Sequence, residues 1–495
     1  MALSHAKIII LSPGAVPMSN EIQEELHDLF HPRNIAVVGA SPRSDPLMMN
    51  QGNNYIKGSI EQHFSGKIFP VHPRAKAVLG LTAYPRVRDI PDPLDLVIFT
   101  VPAKASLEVM KDCVRKGVKF VHLYTAGFGE SGREEYVALE KELIRMAREN
   151  GIRVVGPNCM GIYCPEGGLA FQPFFPNVPG PVGFFSQSGQ MAGMFVMTAA
   201  AQGLRFSKVV SFGNARDLKA HDFLGYLGRD EKTQLIGSYL EGLEDGRAFL
   251  EEAKKVTRRK PLVIFKGGMT EGGARAAKSH TAAIAGSADL WRAVCRQCGI
   301  ISVSSLDELV FTLSALKRLP LPKGKNVVIL GGAGGGSVTM TDQAEAEGLR
   351  VPPLSERTVR ELEAIVPPEG TSVKNPLDVG RKFFTEGHFH KLMELLRDDP
   401  LVDALIFMQP IALFSRFMGR AGVGMLVKLT LTAQKILEKP LILVVEKTEG
   451  FGGEQAVKEA VERYHGADLA TFPDFRLAAR ITRYLADYQA FLMKS

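Results

Sequence analysis

Short runs that are apolar on nearly every residue recur along the chain, and each ends in a turn marked by glycine, serine or proline. That is the pattern of strands buried on both faces of a parallel sheet, not of amphipathic helices. A first series comprises NIAVVGAS from residue 34, KIFPVHP (67–73), DLVIFTVP (95–102), KFVHLYTAG (119–127) and IRVVGPN (152–158). Helix-length stretches of mixed polarity separate several of them, notably 103–116 and 133–150. The segment SNEIQEELHDLF (19–30) carries a capping pattern with helical spacing and predicts an entry helix. A second series follows the Pro/Gly-rich stretch 173–183: PVGFFSQSGQMAG, FSKVVSFGN, LIGSYLEG and PLVIFKGG. A third follows LPLPKGK (319–325), with NVVILGGAGGG, VDALIFMQP and PLILVVEK, and closes in a helix near 475–493.

Strand-helix alternation of this kind predicts an α/β protein of doubly wound parallel sheets. The expected division is a Rossmann-like domain over 20–160 and two flavodoxin-like domains over 161–322 and 323–495. The length, 495 residues, agrees with about three domains at the usual size of about 150 residues.

Composition narrows the partners. The net charge of +7, from 60 Lys+Arg against 53 Asp+Glu, is spread without a basic tail, which fits phosphorylated metabolites better than nucleic acid. No run approaches the ~18 apolar residues of a membrane span, since KIIILSPG near the start is broken by Pro13. Five cysteines, at 113, 159, 164, 295 and 298, include one C-x-x-C within the predicted helix ADLWRAVCRQCG, where a structural role is expected, and no second pair supplies metal-ligand spacing. An odd count without a framework fits a reducing compartment, so a cytoplasmic protein is expected.

Three places carry candidate chemistry. Gly39, in VVGASPRS, closes a strand with only one glycine of the G-x-G-x-x-G pattern, and no acidic residue ends the next strand. A nicotinamide dinucleotide site is therefore disfavoured, while His72, Arg74 and Lys76 after that strand suit a ligand with additional phosphate. Second, Ser186-Gln187-Ser188-Gly189 leads a strand into a helix, and the Gly331–Gly336 loop does so again in the third domain. Unpaired N–H groups and the positive end of the helix dipole make both starts candidate anion sites, and no G-K-[ST] marks a Walker loop. Third, His280 stands among small residues in AAKSHTAAIAGS after a glycine-rich run. A neutral imidazole can take up a phosphoryl group if one ring nitrogen is free and the other is held, and Glu241 in SYLEG is the candidate acceptor.

The ordered set NIAVVGAS, GPNCMGI (156–162), SQSG, SYLEG, KSHTAAIAG and NPLDVG (375–380) resembles the α-subunit type of NDP-forming acyl-CoA synthetases, the superfamily of succinyl-CoA synthetase and ADP-forming acetyl-CoA synthetase. The resemblance runs from about residue 20 to near the end of the chain. It implies that the first domain binds CoA, through Gly39, Ala40, Ser41 and Pro42 after the first strand and Val71, His72, Pro73 and Lys76 after the second. Val101, Pro102, Ala126, Gly127 and Asn158, after the later strands, would complete the set.

It further implies that His280 is phosphorylated, that Glu241 stabilises it, and that phosphate lies against Ser186, Gln187, Ser188 and Gly189 and against Gly334, Gly335 and Gly336. The expected reaction interconverts acyl-CoA, phosphate and NDP with a carboxylic acid, CoA and NTP, through an acyl phosphate and phosphohistidine. No segment resembles the ATP-grasp domains of that superfamily, so a separate ATP-grasp β subunit holding ATP or ADP and Mg²⁺ is implied, giving a hetero-oligomer. Two positions depart from the family pattern: Ala282 stands where S-H-T-G is common, and RKFF, with Arg381, follows NPLDVG. The alternative reading is a catalytically silent protein of the same fold that responds to CoA or acyl-CoA as a regulator or scaffold.

Overall fold

The computed structural model describes residues 26–42, 50–275, 288–331, 334–380, 383–446 and 453–494. Of the residues named above, His280, Ala282, Arg381, 1–18 and part of the entry helix lie outside the described residues; of that helix, residues 26–30 are helical. The chain divides into two compact units, 1–309 and 310–495. Among the described residues there are seventeen strands, and the longer ones follow the apolar runs closely.

The first unit holds two sheets. In one, β1 (Asn34–Val38), β2 (Lys67–Val71), β5 (Leu96–Phe99), β6 (Phe120–Leu123) and β7 (Arg153–Val155) pair in the order β2-β1-β5-β6-β7, every pair parallel. A small hairpin of β3 (Ala77–Val78) and β4 (Leu81–Thr82) lies after β2. The runs of full burial along β5 and β6 explain their lack of alternation, because helices such as Ala103–Lys116 and Glu134–Glu149 flank the sheet and share its core.

The second sheet has the order β13-β12-β11-β9-β10-β8. Its strands are β8 (Gly161–Tyr163), β9 (Pro179–Ser186), β10 (Phe206–Ser211), β11 (Leu235–Leu240), β12 (Leu262–Lys266) and β13 (Ile301–Val303). All pairs are parallel except the edge strand β8, which runs antiparallel to β10. The sequence pattern gave no sign of β8, since three residues are too few for a periodicity. The C-x-x-C lies in the helix Ala288–Cys298, with Cys295 and Cys298 both buried and unpaired, and burial pushes the Cys295 thiol up to about 12. Such thiols are packing groups, as expected.

The second unit holds β14 (Val327–Leu330), β15 (Ala404–Met408), β16 (Leu441–Val444) and β17 (Thr471–Phe472), paired in parallel in that order. Register shows that this sheet repeats the second one. Lys260 and Lys439 each precede a proline and a strand. Each ammonium caps the end of a helix through two carbonyls, those of Leu227 and Asp230 in one case and Leu396 and Asp399 in the other. From Leu262 and Leu441 the pairings carry Ile236 onto Leu405 and Gly183 onto Val328, so Gly189 falls on Gly334. The segment NPLDVG lies beside β14 as β10 lies beside β9, with Leu377 opposite Leu330.

The end of the helix Gly335–Ala346 is tied to the closing helix Phe475–Met493 by Glu347, which accepts from Arg476 and Arg480 at 2.8–2.9 Å. Those hydrogen bonds, Arg480 foremost, draw its carboxyl down to about 2 from an ordinary 4.5. A depressed carboxylate contributes stability that is present above the unfolded value and lost as pH falls through the folded one. Glu347→Gln is therefore expected to lower the thermal midpoint of this unit by about 2–4 °C at neutral pH. The deficit relative to wild type should shrink as pH falls from about 4.5 to about 2. Calorimetry at several pH values checks this, and a deficit independent of pH would contradict it.

Candidate active site

Every residue assigned above to CoA lies at or past the C-terminal end of a strand in the first sheet: Gly39–Pro42 after β1, Val71 closing β2 with His72, Pro73 and Lys76 after it, Val101 and Pro102 after β5, Ala126 and Gly127 after β6, and Asn158 after β7. Parallel pairing thus brings them to one edge, the edge at which open α/β sheets take ligands. Between β1 and β5 the chain order reverses, and there Gly39 is indispensable. Its φ is +100°, and a Cβ would stand 2.7 Å from the carbonyl oxygen and hydroxyl of Thr100. The turn is braced from the helix Gln51–Glu61, where Asn53 accepts from the Ser41 N–H and donates to the Ser41 carbonyl, both at 2.9 Å.

His72 spends its Nδ1 on the N–H groups of Arg74 and Ala75, which shapes the turn after β2. Arg74 and Lys76 are exposed and make no ion pair among the described residues, so both cations are available to phosphate. At the far end, Glu130 accepts from the N–H groups of Gly127 and Phe128 and from the Asn214 side chain, tying this edge to the loop after β10.

The second sheet reverses its order at β9, between β10 and β11. Here the sequence SQSG enters the helix Gly189–Ala201. Ser188 caps it, accepting from the Met191 N–H at 3.3 Å, and no acidic residue occupies the first turn. Ser186 is fully buried and its hydroxyl donates to the Ser188 carbonyl, so it holds the turn rather than facing outward. Gly189 packs against Met160 of the GPNCMGI segment; a Cβ there would lie 2.3 Å from the Met160 side chain.

Glu241 sits at the end of β11, across the crevice from that helix start, and is 6% exposed. Gln187 accepts from the N–H groups of Glu241 and Gly242, which places the loop of β11 against the loop of β9. Tyr239 donates to Glu241 Oε1 at 3.3 Å. Burial first, and then the Glu241 carboxylate, push the Tyr239 hydroxyl up to about 12, so it remains a donor through the neutral range. The ammonium of Lys266, at the end of β12, donates to the carbonyl of Glu241 at 2.6 Å. Sequence reasoning named Gln187 and Glu241 and missed Tyr239 and Lys266, although a lysine closing the run LVIFK was a visible sign of a buried cation.

In the second unit, Gly334 caps the helix Gly335–Ala346 at φ +56° with no side chain in the way, and Gly334, Gly335 and Gly336 are all exposed. Each of the two helix starts can therefore offer unpaired backbone N–H groups to an anion.

The two sheets, the first with glycine-led turns along its C-terminal edge and the second with a held glutamate beside a helix start, are matched by known domains. Residues 33–165 match the CoA binding domain, and residues 179–316 match the succinyl-CoA ligase like flavodoxin domain. The chain is 40% identical over 377 residues to the α subunit of ADP-forming acetate–CoA ligase II of Pyrococcus furiosus, covering 76% of this chain and 80% of that one. It is 38% identical over 391 residues to ADP-forming acetate–CoA ligase II of Archaeoglobus fulgidus, and there the match spans only 57% of the relative's length. The structure of dinucleotide forming acetyl-coenzyme A synthetase 1 of Ca. Korarchaeum cryptofilum, in complex with phosphate and ADP, superimposes with a TM-score of 0.79 at 32% identity, covering 95% of this chain and 98% of that one. This chain belongs to the family of ADP-forming acyl-CoA ligases, in its α-subunit form.

Proposed function

We propose that the chain is the α-type subunit of an NDP-forming acyl-CoA synthetase and that it carries both the CoA site and the phosphorylated histidine. A phosphate oxygen attacks the thioester carbonyl, the C–S bond breaks, and CoA leaves as the thiol after taking a proton. An imidazole nitrogen of His280 then attacks the phosphorus of the acyl phosphate, and the carboxylate departs. Phospho-His280 finally transfers its phosphoryl group to NDP on an ATP-grasp partner that also holds Mg²⁺. The helix start at Ser186–Gly189 would take phosphate, as would that at Gly334–Gly336 in its own unit, and Glu241 would hold the second imidazole nitrogen.

One observation carries this reading: at the chain reversal of the second sheet, Gln187 fixes Glu241 beside a helix start that has no acidic residue in its first turn. A carboxylate held there suits an imidazolium, and the N–H groups across from it suit phosphate. In this reading the domains divide at 20–160, 161–322 and 323–495. Among the described residues no helix is long and apolar enough to cross a membrane, in keeping with work in the cytoplasm.

The test is reconstitution. Mixed with an ATP-grasp subunit of the family, ATP, Mg²⁺, CoA and a panel of carboxylic acids, the chain should form acyl-CoA and ADP with at least one acid. Failure with every acid, while the partner binds ATP and this chain binds CoA, would favour the regulatory alternative.

A further inference from the structure

We propose that Lys266 is a positioning residue that fixes Glu241 for its work on the histidine, an inference that rests on the function proposed above. Lys266 is 7% exposed, and both of its hydrogen bonds go to backbone carbonyls, Glu241 at 2.6 Å and Gly267 at 2.5 Å. No carboxylate lies within ion-pair distance of it among the described residues. Burying an ammonium whose hydrogen bonds all go to neutral carbonyls is costly, and burial lowers its pKa although the Glu241 charge acts the other way. Stability of the sheet alone therefore gives a poor reason for a lysine here.

The repeat within the chain provides an internal control. By strand register, the counterpart of Lys266 is Val445, also buried, and the counterpart of Glu241 is Pro410. The same fold closes the same strand with an apolar residue where no carboxylate has to be held. Lysine and glutamate are thus present together in one sheet and absent together in the other.

Geometry says what the lysine does. Glu241 is anchored from three strands at once: from the loop of β9 by Gln187 on its N–H, from β11 by Tyr239 on its carboxylate, and from β12 by Lys266 on its carbonyl. Remove the lysine and the peptide unit after Glu241 keeps the bond from the Gly242 N–H to Gln187, while its carbonyl loses the ammonium. In sequence, His280 follows Lys266 by fourteen positions.

A double-mutant cycle tests this with the full chain, acetyl-CoA and labelled inorganic phosphate, reading the rate of label uptake on His280. Lys266→Met should slow uptake by about 10–100-fold, the range for groups that orient a functional side chain. CoA affinity should stay within about twofold, because the CoA edge lies on another sheet. In a Glu241→Gln background the same change should cost less than about twofold, since the lysine acts through the glutamate. Unchanged uptake in Lys266→Met, or an equal loss in both backgrounds, overturns the proposal. Lys266→Gln, which keeps amide donors without the charge, serves the same cycle if the methionine variant does not fold. If acetyl-CoA does not label the wild-type chain, the thioester that does replaces it; a wild-type chain that takes up no label from any acyl-CoA thioester refutes the functional reading itself, and this one with it.

Discussion

His280→Asn is expected to abolish the coupling of NTP to acyl-CoA formation, with a loss on the order of 10⁴-fold or more, the scale on which removal of a nucleophile acts. Asparagine keeps a polar side chain of similar reach and offers no ring nitrogen to carry phosphate. The first step does not use the histidine. The variant should therefore still convert acyl-CoA and phosphate to acyl phosphate and CoA, which hydroxylamine trapping would detect, and should bind CoA as tightly as wild type. Retained NTP-coupled turnover would contradict the account. Loss of acyl phosphate formation as well would move the histidine into the first step.

The next largest effect is expected from Glu241→Gln. The backbone of Glu241 stays held by Gln187 and Lys266, and glutamine can still accept from Tyr239, so the loop should keep its shape. What disappears is the negative charge that would stabilise an imidazolium. The rate of phosphohistidine formation should fall on the order of 10³–10⁴-fold, as when a carboxylate that orients a catalytic histidine is neutralised. The KM for acyl-CoA should hold nearly constant, because the CoA edge belongs to a different sheet. A stopped assay of His280 labelling against acyl-CoA concentration separates the two terms. A raised KM with an unchanged limiting rate would assign Glu241 to substrate binding instead.

Much of this fold is legible in the sequence because buried parallel strands cannot alternate. Runs such as LVIF and LVIFK therefore mark themselves, and each one's C-terminal turn marks the functional edge. The division into glycine-led turns likewise placed Gly39, Gly189 and Gly334 at strand-to-helix joins. What could not be read is contact that depends on register. That the Gln187 side-chain carbonyl holds the N–H groups of Glu241 and Gly242 could not be seen in SQSG. Ser186 looked like a donor to the anion, and its hydroxyl is turned inward to Ser188. Tyr239 is different, since strand alternation puts it on the same face as Glu241 two residues on, and the spacing was there to be read. The edge strand β8 was invisible because its pairing with β10 comes from a neighbouring loop, not from a periodic run.

The central claim is that this chain takes phosphate from an acyl phosphate onto His280. The direct measurement is to incubate the chain alone with a panel of acyl-CoA thioesters, acetyl-CoA included, and labelled inorganic phosphate, then map the label by peptide mass spectrometry under mild alkaline conditions. The account predicts an acid-labile, base-stable phosphate on His280 with at least one thioester, absent when CoA replaces the thioester. Label on another residue, or none with any thioester while CoA binding is intact, would contradict it.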